Sequence, residues 1–269
     1  MTLVAISSLT CFPVDARPVR RAMYVQDAST LTASGRARLD RLLDRKLITE
    51  VVPYGLGALL DSYPHRELAA AWIDELHRHG ARVIAPVAGE DRLRAIDQML
   101  AEHPATYLDG MVSEVEFWNR ADRSIALEEL LGLIADMRSA ATTWRHDGRA
   151  LPVGAYLGYP TQAEAVRIAA AVDFAFLDYS VRSPVGAWSA THAGAPLRQR
   201  FGWFAGAGVD VWPIFYATGE VDMSAALRAS GTDSAEARFR ADLAIDPDLG
   251  KLGVAGFVYF TFESMPDPR

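Results

Sequence analysis

Eight times between residues 21 and 262, a short apolar, β-rich run alternates with a stretch of helical period, and this rhythm constrains the chain more than any single motif. The runs fall at 21–26, 48–54, 82–87, 108–117, 152–157, 174–180, 209–216 and 254–262. The helical stretches are 32–47, 65–79, 91–103, 126–144, one opening at Pro160-Thr161, 196–205 and 225–243. In the first of them Leu39, Leu42 and Leu43 share a face, and Pro104 ends the third. Strands separated by helices of this length run parallel, because each crossover returns the chain to the same end of the sheet. Eight such units in about 240 residues predict an α/β fold, a single (β/α)8 TIM barrel. The rival, an open doubly wound sheet, would carry a Gly-rich first turn that is absent here. No linker or low-complexity segment divides the chain, so residues 1–269 read as one barrel domain, with 1–20 as a lead-in whose apolar run at 3–9 would cap the bottom.

Composition narrows the function classes. At 50% hydrophobic and 23% charged, the chain has the balance of a soluble globular domain. A net charge of −7 argues against a nucleic-acid partner, which needs a basic surface. No apolar run reaches the roughly 20 residues that span a bilayer, and no basic segment precedes the first apolar stretch, so a cytoplasmic protein is expected, with a secreted protein whose signal has been removed as the alternative. Cys11 stands alone, which excludes an internal disulfide. Lys46 and Lys251 are the only lysines, and neither ends a predicted strand, so a Schiff-base aldolase is disfavoured.

A parallel barrel works at the carboxyl ends of its strands. Those ends read Tyr24, Gln26 and Asp27; Tyr54; Glu90; Glu114, Glu116, Trp118 and Asn119; Tyr156 and Tyr159; Asp178 and Tyr179; Trp212 and Tyr216; Tyr259, Phe260 and Glu263. The set is rich in aromatics and carboxylates, which suits sugar rings and glycosidic bonds. A phosphorylated substrate would call for arginines and backbone nests. Val112, Glu114 and Glu116 share one strand face. Two carboxyls in one mouth repel, so one should keep its proton near neutral pH and serve as a general acid. The plain alternative is pairing with a rim arginine.

The run Asp109-Gly110-Met111-Val112-Ser113-Glu114-Val115-Glu116 resembles the Asp-Gly-x-Asp-x-Asp-x-Glu signature of glycoside hydrolase family 18, the chitinase-like family. Further likenesses are Ala85-Pro86-Val87-Ala88-Gly89 on the third strand, Leu177-Asp178-Tyr179 on the sixth, Pro213-Ile214-Phe215-Tyr216 on the seventh and Gly256-Phe257-Val258-Tyr259-Phe260 on the eighth. The resemblance implies that Glu116 protonates the leaving oxygen, while Glu114 and Tyr179 hold an acetamido group that attacks the anomeric carbon. From the strand ends themselves, Tyr24, Tyr54, Trp118, Asn119, Tyr156, Asp178, Trp212, Tyr216, Tyr259 and Phe260 form the candidate substrate-binding set. Three departures stand out: Val112 replaces an aspartate, Glu114 is one methylene longer than the aspartate expected there, and Tyr259 or Phe260 stands in place of a tryptophan.

The remaining signals are weak. The six histidines fall mostly on helices and loops and read as surface residues; His77 and His79, two apart on a helix, do not share a face. No metal-ligand spacing stands out, and Asp246-Pro247-Asp248 reads as a turn. There is no Walker loop and no Gly-x-Ser-x-Gly elbow, and Ser7, Ser8 and Cys11 have no evident base. No cofactor is implied. The leading expectation is a glycoside-hydrolase-like barrel acting on an amino-sugar oligosaccharide or glycoconjugate with Glu116 as general acid. The alternatives are a saccharide-binding barrel without turnover, and a lyase or isomerase using Glu114 and Glu116 as acid and base.

Overall fold

The computed structural model describes residues 19–26, 33–45, 47–61, 63–145, 147–181, 191–192, 195–217 and 223–262. The run at 3–9, Ser7, Ser8, Cys11, Asp27, Lys46, His146 and Glu263 lie outside the described residues.

Eight strands form the barrel: β1 (Arg20–Tyr24), β2 (Glu50–Val52), β3 (Arg82–Val87), β4 (Gly110–Ser113), β5 (Val153–Leu157), β6 (Phe174–Asp178), β7 (Asp210–Tyr216) and β8 (Gly256–Phe260). Every neighbouring pair is parallel, and β1 closes on β8 with Arg20 opposite Gly256 and Ala22 opposite Val258. The (β/α)8 architecture read from the alternation is therefore the observed one. The fourth run is the poorest match, since only four of its ten expected residues pair as strand; Phe117–Asn119 instead turn as a short 3-10 helix.

The helices are α1 (Ala33–Asp44), α2 (Leu56–Leu59), α3 (Tyr63–Arg78), α4 (Glu90–Glu102), α5 (Arg123–Thr143), α6 (Gln162–Ala169), α7 (Leu197–Gly202), α8 (Ser224–Ser230) and α9 (Thr232–Ala244). α5 buries Leu127, Leu130, Ile134, Met137 and Ala141 at three- and four-residue spacing, which turns one stripe onto the strands. α6 starts at Thr161, whose hydroxyl accepts from the Glu164 amide while the Glu164 carboxylate accepts from the Thr161 amide. The single stretch expected at 225–243 is two helices, because Gly231 adopts φ 80°, a left-handed conformation that ends α8 and opens α9. A two-residue antiparallel ribbon, Thr191–His192 with Ala195–Pro196, precedes α7.

Side chains alternate between two cores. The outer one lies between strands and helices, and the inner one fills the barrel with Ala22, Tyr24, Val52, Ile84, Val112, Phe174, Phe176, Trp212, Ile214 and Val258. Phe176 is central, 5.1 Å from the Phe174 ring, 5.9 Å from Trp212 and 6.2 Å from Tyr24. Rings this large fit because glycines face them: a Cβ at Gly154 would sit 2.2 Å from the Phe174 ring, and one at Gly256 would sit 2.3 Å from Trp212 and 2.6 Å from the Arg20 carbonyl oxygen. Gly256→Ala is therefore expected to destabilise the barrel by about 1–3 kcal/mol or more, since the ring cannot retreat and the backbone oxygen is fixed. Chemical denaturation would show this as a lower midpoint at unchanged slope; an unaltered midpoint would mean that the packing at the barrel base is loose.

Candidate active site at the barrel mouth

β4 stops at Ser113, and the chain continues extended long enough for the Glu114 amide to donate to the Val87 carbonyl at 2.9 Å. Glu114 thus keeps the inward phase of Val112. Its carboxylate Oε1 accepts a 2.5 Å hydrogen bond from the Tyr24 hydroxyl, which reaches across the mouth from the end of β1. Burial pushes the Glu114 carboxyl from its ordinary 4.5 up to about 8; the Tyr24 hydrogen bond works against the shift, and the nearby Glu116 adds to it. Glu116 is exposed, begins the short turn after β4, and accepts from the Asn119 side-chain amide at 2.6 Å. Tyr54 is partly exposed beside Tyr24, with ring centroids 6.5 Å apart. Burial raises its hydroxyl pKa, helped by the charges of Glu114 and Glu116.

The far wall is aromatic. Tyr156 and Tyr216 bring their hydroxyls to 3.1 Å of each other, and Phe260 packs on Tyr216 and Tyr24 at 5.4 and 5.3 Å. Trp118 stands edge-on to Tyr156 and Tyr159. Asp178, buried at the end of β6, accepts from the Ser180 hydroxyl. Tyr159 is pushed up to about 12 by burial and by the Asp178 charge, while the Ser180 hydroxyl pulls it back. Arg200, on α7, reaches this wall: Nη1 donates to the Gly158 carbonyl, and the guanidinium lies 4.9 Å from the Tyr159 ring centroid. Burial lowers its pKa, opposed by the charge of Asp178.

Four residues expected at the mouth lie elsewhere. Tyr179 follows Asp178 directly, so it takes the opposite face and packs in the outer core on Phe201, Phe215 and Phe239. Tyr259 precedes the inward Phe260 and for the same reason points outward, donating to Glu236 on α9 at 2.5 Å. Trp212 does face inward, but it lies four residues below Tyr216, roughly 13 Å down the strand, with the Arg20 guanidinium 4.5 Å from its ring. Glu90 opens α4 and forms an exposed contact with Arg94, rather than facing the carboxyl pair. His77 is not the surface group expected, since it stacks on Tyr107 at 3.9 Å and meets Asp109 at 2.9 Å.

Arg200 was not anticipated. Its signal was present: Leu197, Arg200, Phe201 and Phe204 are all buried at helical spacing, so the arginine sits on an apolar face. A groove of about 890 Å³ outside the barrel, between Glu90–Arg92 on α4 and Glu129–Asp136 on α5, contains neither Glu114 nor Glu116. Among the described residues, no cluster of three or more His, Cys, Asp or Glu is arranged to hold a metal, and no helix is long and apolar enough to cross a membrane.

No family model matches the chain, and no curated protein sequence matches it. Solved structures do share the fold. A mutant of Saccharomyces cerevisiae Gas2p in complex with laminaritetraose and laminaripentaose is similar at TM-score 0.52 and 12% identity, over 91% of this chain and 56% of that one. A chitinase from Bacteroides thetaiotaomicron is similar at TM-score 0.51 and 11% identity, over 91% of this chain and 90% of that one. The chain thus spans little more than half the length of the Gas2p structures. What these structures share with the chain is the fold, the closed parallel barrel ringed by helices.

The Tyr24 hydroxyl stabilises the charged form of Glu114, so Tyr24→Phe should raise the Glu114 pKa further above about 8. Carbon-detected NMR titration of the glutamate carboxyls would read it; a downward shift would show that the hydrogen bond does not favour the carboxylate.

Proposed function

We propose that the protein is a glycoside hydrolase acting on an oligosaccharide, with Glu114 and Glu116 as the working carboxyl pair. The observation that carries this reading is the raised pKa of Glu114 in a mouth walled by Tyr24, Tyr156, Tyr216 and Phe260. A carboxyl at about 8 still holds its proton at neutral pH, which is what a general acid requires. Glu114 donates that proton to the leaving glycosidic oxygen. Glu116, held by Asn119 at the rim, supplies the second carboxyl, which orients the group attacking the anomeric carbon. The sequence resemblance gives the two residues the opposite roles; the deeper position of Glu114 favours the assignment made here. Tyr24, Tyr156 and Tyr216 offer hydroxyls to the sugar, and Tyr54 and Trp118 offer ring edges at the rim. Two neighbours in fold, with laminari-oligosaccharides in one case and the name chitinase in the other, are consistent with an oligosaccharide substrate.

pH–rate profiles on an aryl glycoside or an amino-sugar oligomer test the roles. Wild-type turnover should fall as pH rises through about 8, because the acid is then deprotonated. Glu114→Gln should cost at least about 10²-fold, the usual worth of a general acid. Glu116→Gln should move the alkaline limb downward, because one of the charges raising Glu114 is gone. If Glu116→Gln abolishes turnover while Glu114→Gln only shifts the limb, the roles revert to those of the family resemblance. If wild type binds saccharides and cleaves no glycoside, a binding barrel replaces the enzyme.

Tyr179→Phe gives a separate check on the mouth. The Tyr179 ring lies in the outer core, so turnover should stay within about twofold of wild type, a difference well under 1 kcal/mol in the barrier. A loss of tenfold or more would mean that Tyr179 reaches substrate.

A further inference from the structure

Arg200 is 4% exposed, and among the described residues only its Nη1 has a hydrogen-bond partner; Nε and Nη2 are buried without one there. Those two nitrogens form one edge of the guanidinium, a planar pair of parallel donors that matches the two oxygens of a carboxylate. Elsewhere in this chain the same edge is used in that way. Arg21 grips Glu236 through Nε at 2.6 Å and Nη2 at 2.8 Å, Arg66 grips Glu102 at 2.7 and 2.8 Å, and Arg123 grips Glu164 at 2.7 and 2.6 Å. At Arg200 that edge meets no partner among the described residues.

A buried guanidinium without a pair is costly, and nothing in the outer core calls for one here. Among the described residues the strongest negative charge acting on Arg200 is that of Asp178, but Asp178 is engaged by the Ser180 hydroxyl and by Tyr159 and leaves the edge unfilled. The position also points to a ligand. Arg200 sits behind Tyr159 and feels Tyr156 and Tyr216, the residues that form the wall of the mouth facing Glu114.

We propose that the Nε–Nη2 edge of Arg200 receives a carboxylate of the substrate, so that the saccharide bound at this mouth carries a uronate unit on the β5–β7 side. This rests on the saccharide reading of the mouth and adds the charge of the sugar to it. The half-buried Tyr159 ring lies over the guanidinium, so admitting the group requires that ring to turn aside. Below about pH 8 Glu114 carries no charge, so it does not repel the incoming anion.

Calorimetric titration decides the point, using glucuronate- and galacturonate-containing oligomers, each compared with the neutral hexose oligomer of the same linkage. In wild type, at least one acidic oligomer should bind about tenfold or more tightly than its neutral counterpart, the scale of one charge-assisted pair. In Arg200→Gln that ratio should fall to about one, and in Arg200→Lys to an intermediate value, since an ammonium keeps the charge but loses the paired edge. Equal binding of the acidic and neutral oligomers by wild type overturns the uronate and leaves the saccharide site standing; this comparison needs no variant to fold. A preference that survives in an Arg200→Gln protein of wild-type melting temperature moves the carboxylate site away from Arg200. Binding of neither kind of oligomer overturns the saccharide reading and the uronate with it.

Discussion

Closure of β1 onto β8 governs the rest of the molecule. Once Arg20 pairs with Gly256 and Met23 with Tyr259, no free edge remains, and all eight carboxyl ends meet at one rim. Parallel pairing also phases the strands together, so each inward residue belongs to a layer shared with its neighbours: Tyr156 with Phe176, Ile214 with Val258, Tyr216 with Phe260. The lower layers are packed by Phe174, Phe176 and Trp212, and Gly154 and Gly256 make the room for them. The interior is thus solid below, and only its upper layer lies at the rim. A residue at the base of a strand, such as Trp212, has no route to the mouth whatever its chemistry.

The electrostatics of that upper layer follow from packing. The Glu114 carboxyl, in line with Val112, is raised to about 8 by its burial in the mouth, against the pull of the Tyr24 hydroxyl that donates to it. Two residues later the chain has left the strand, and Glu116 stands in solvent. The difference between two chemically identical side chains therefore comes from where β4 ends. A longer strand would have left both facing the same enclosed layer, where mutual repulsion would have been more severe.

Outside the barrel, arginine–carboxylate pairs hold the helices in register with the strands. Arg21 from β1 grips Glu236 of α9, and the same carboxylate receives the Tyr259 hydroxyl from β8, so one buried group ties the closing strands to their covering helix. Arg123 and Glu164 join α5 to α6, and Arg66 and Glu102 join α3 to α4. The most buried of them is Arg21–Glu236, where removing either partner would strand a buried charge. They also account for a tyrosine that the family resemblance would place against substrate: the Tyr259 hydroxyl is committed to the outer layer.

The sequence by itself determined the barrel. Eight apolar runs separated by helical periods leave few alternatives, and strand β3 matches its expected residues, 82–87, because it is bounded on both sides by residues that break the pattern. It also determined that two glutamates and several tyrosines end up near the carboxyl rim, since rim position follows from order along a strand. Which face each residue takes was decided only by the tertiary structure. Adjacent pairs such as Asp178-Tyr179 and Tyr259-Phe260 cannot both face inward, and composition gives no hint of the phase, because both members are large and polar or aromatic; the layer that each ring completes selects it. The same holds for Arg200 and for the proton on Glu114. An arginine on a short helix and a glutamate at a strand end are ordinary in sequence, and they become unusual only when neighbours from distant strands close over them, because burial is a property of the assembled barrel and of no single segment.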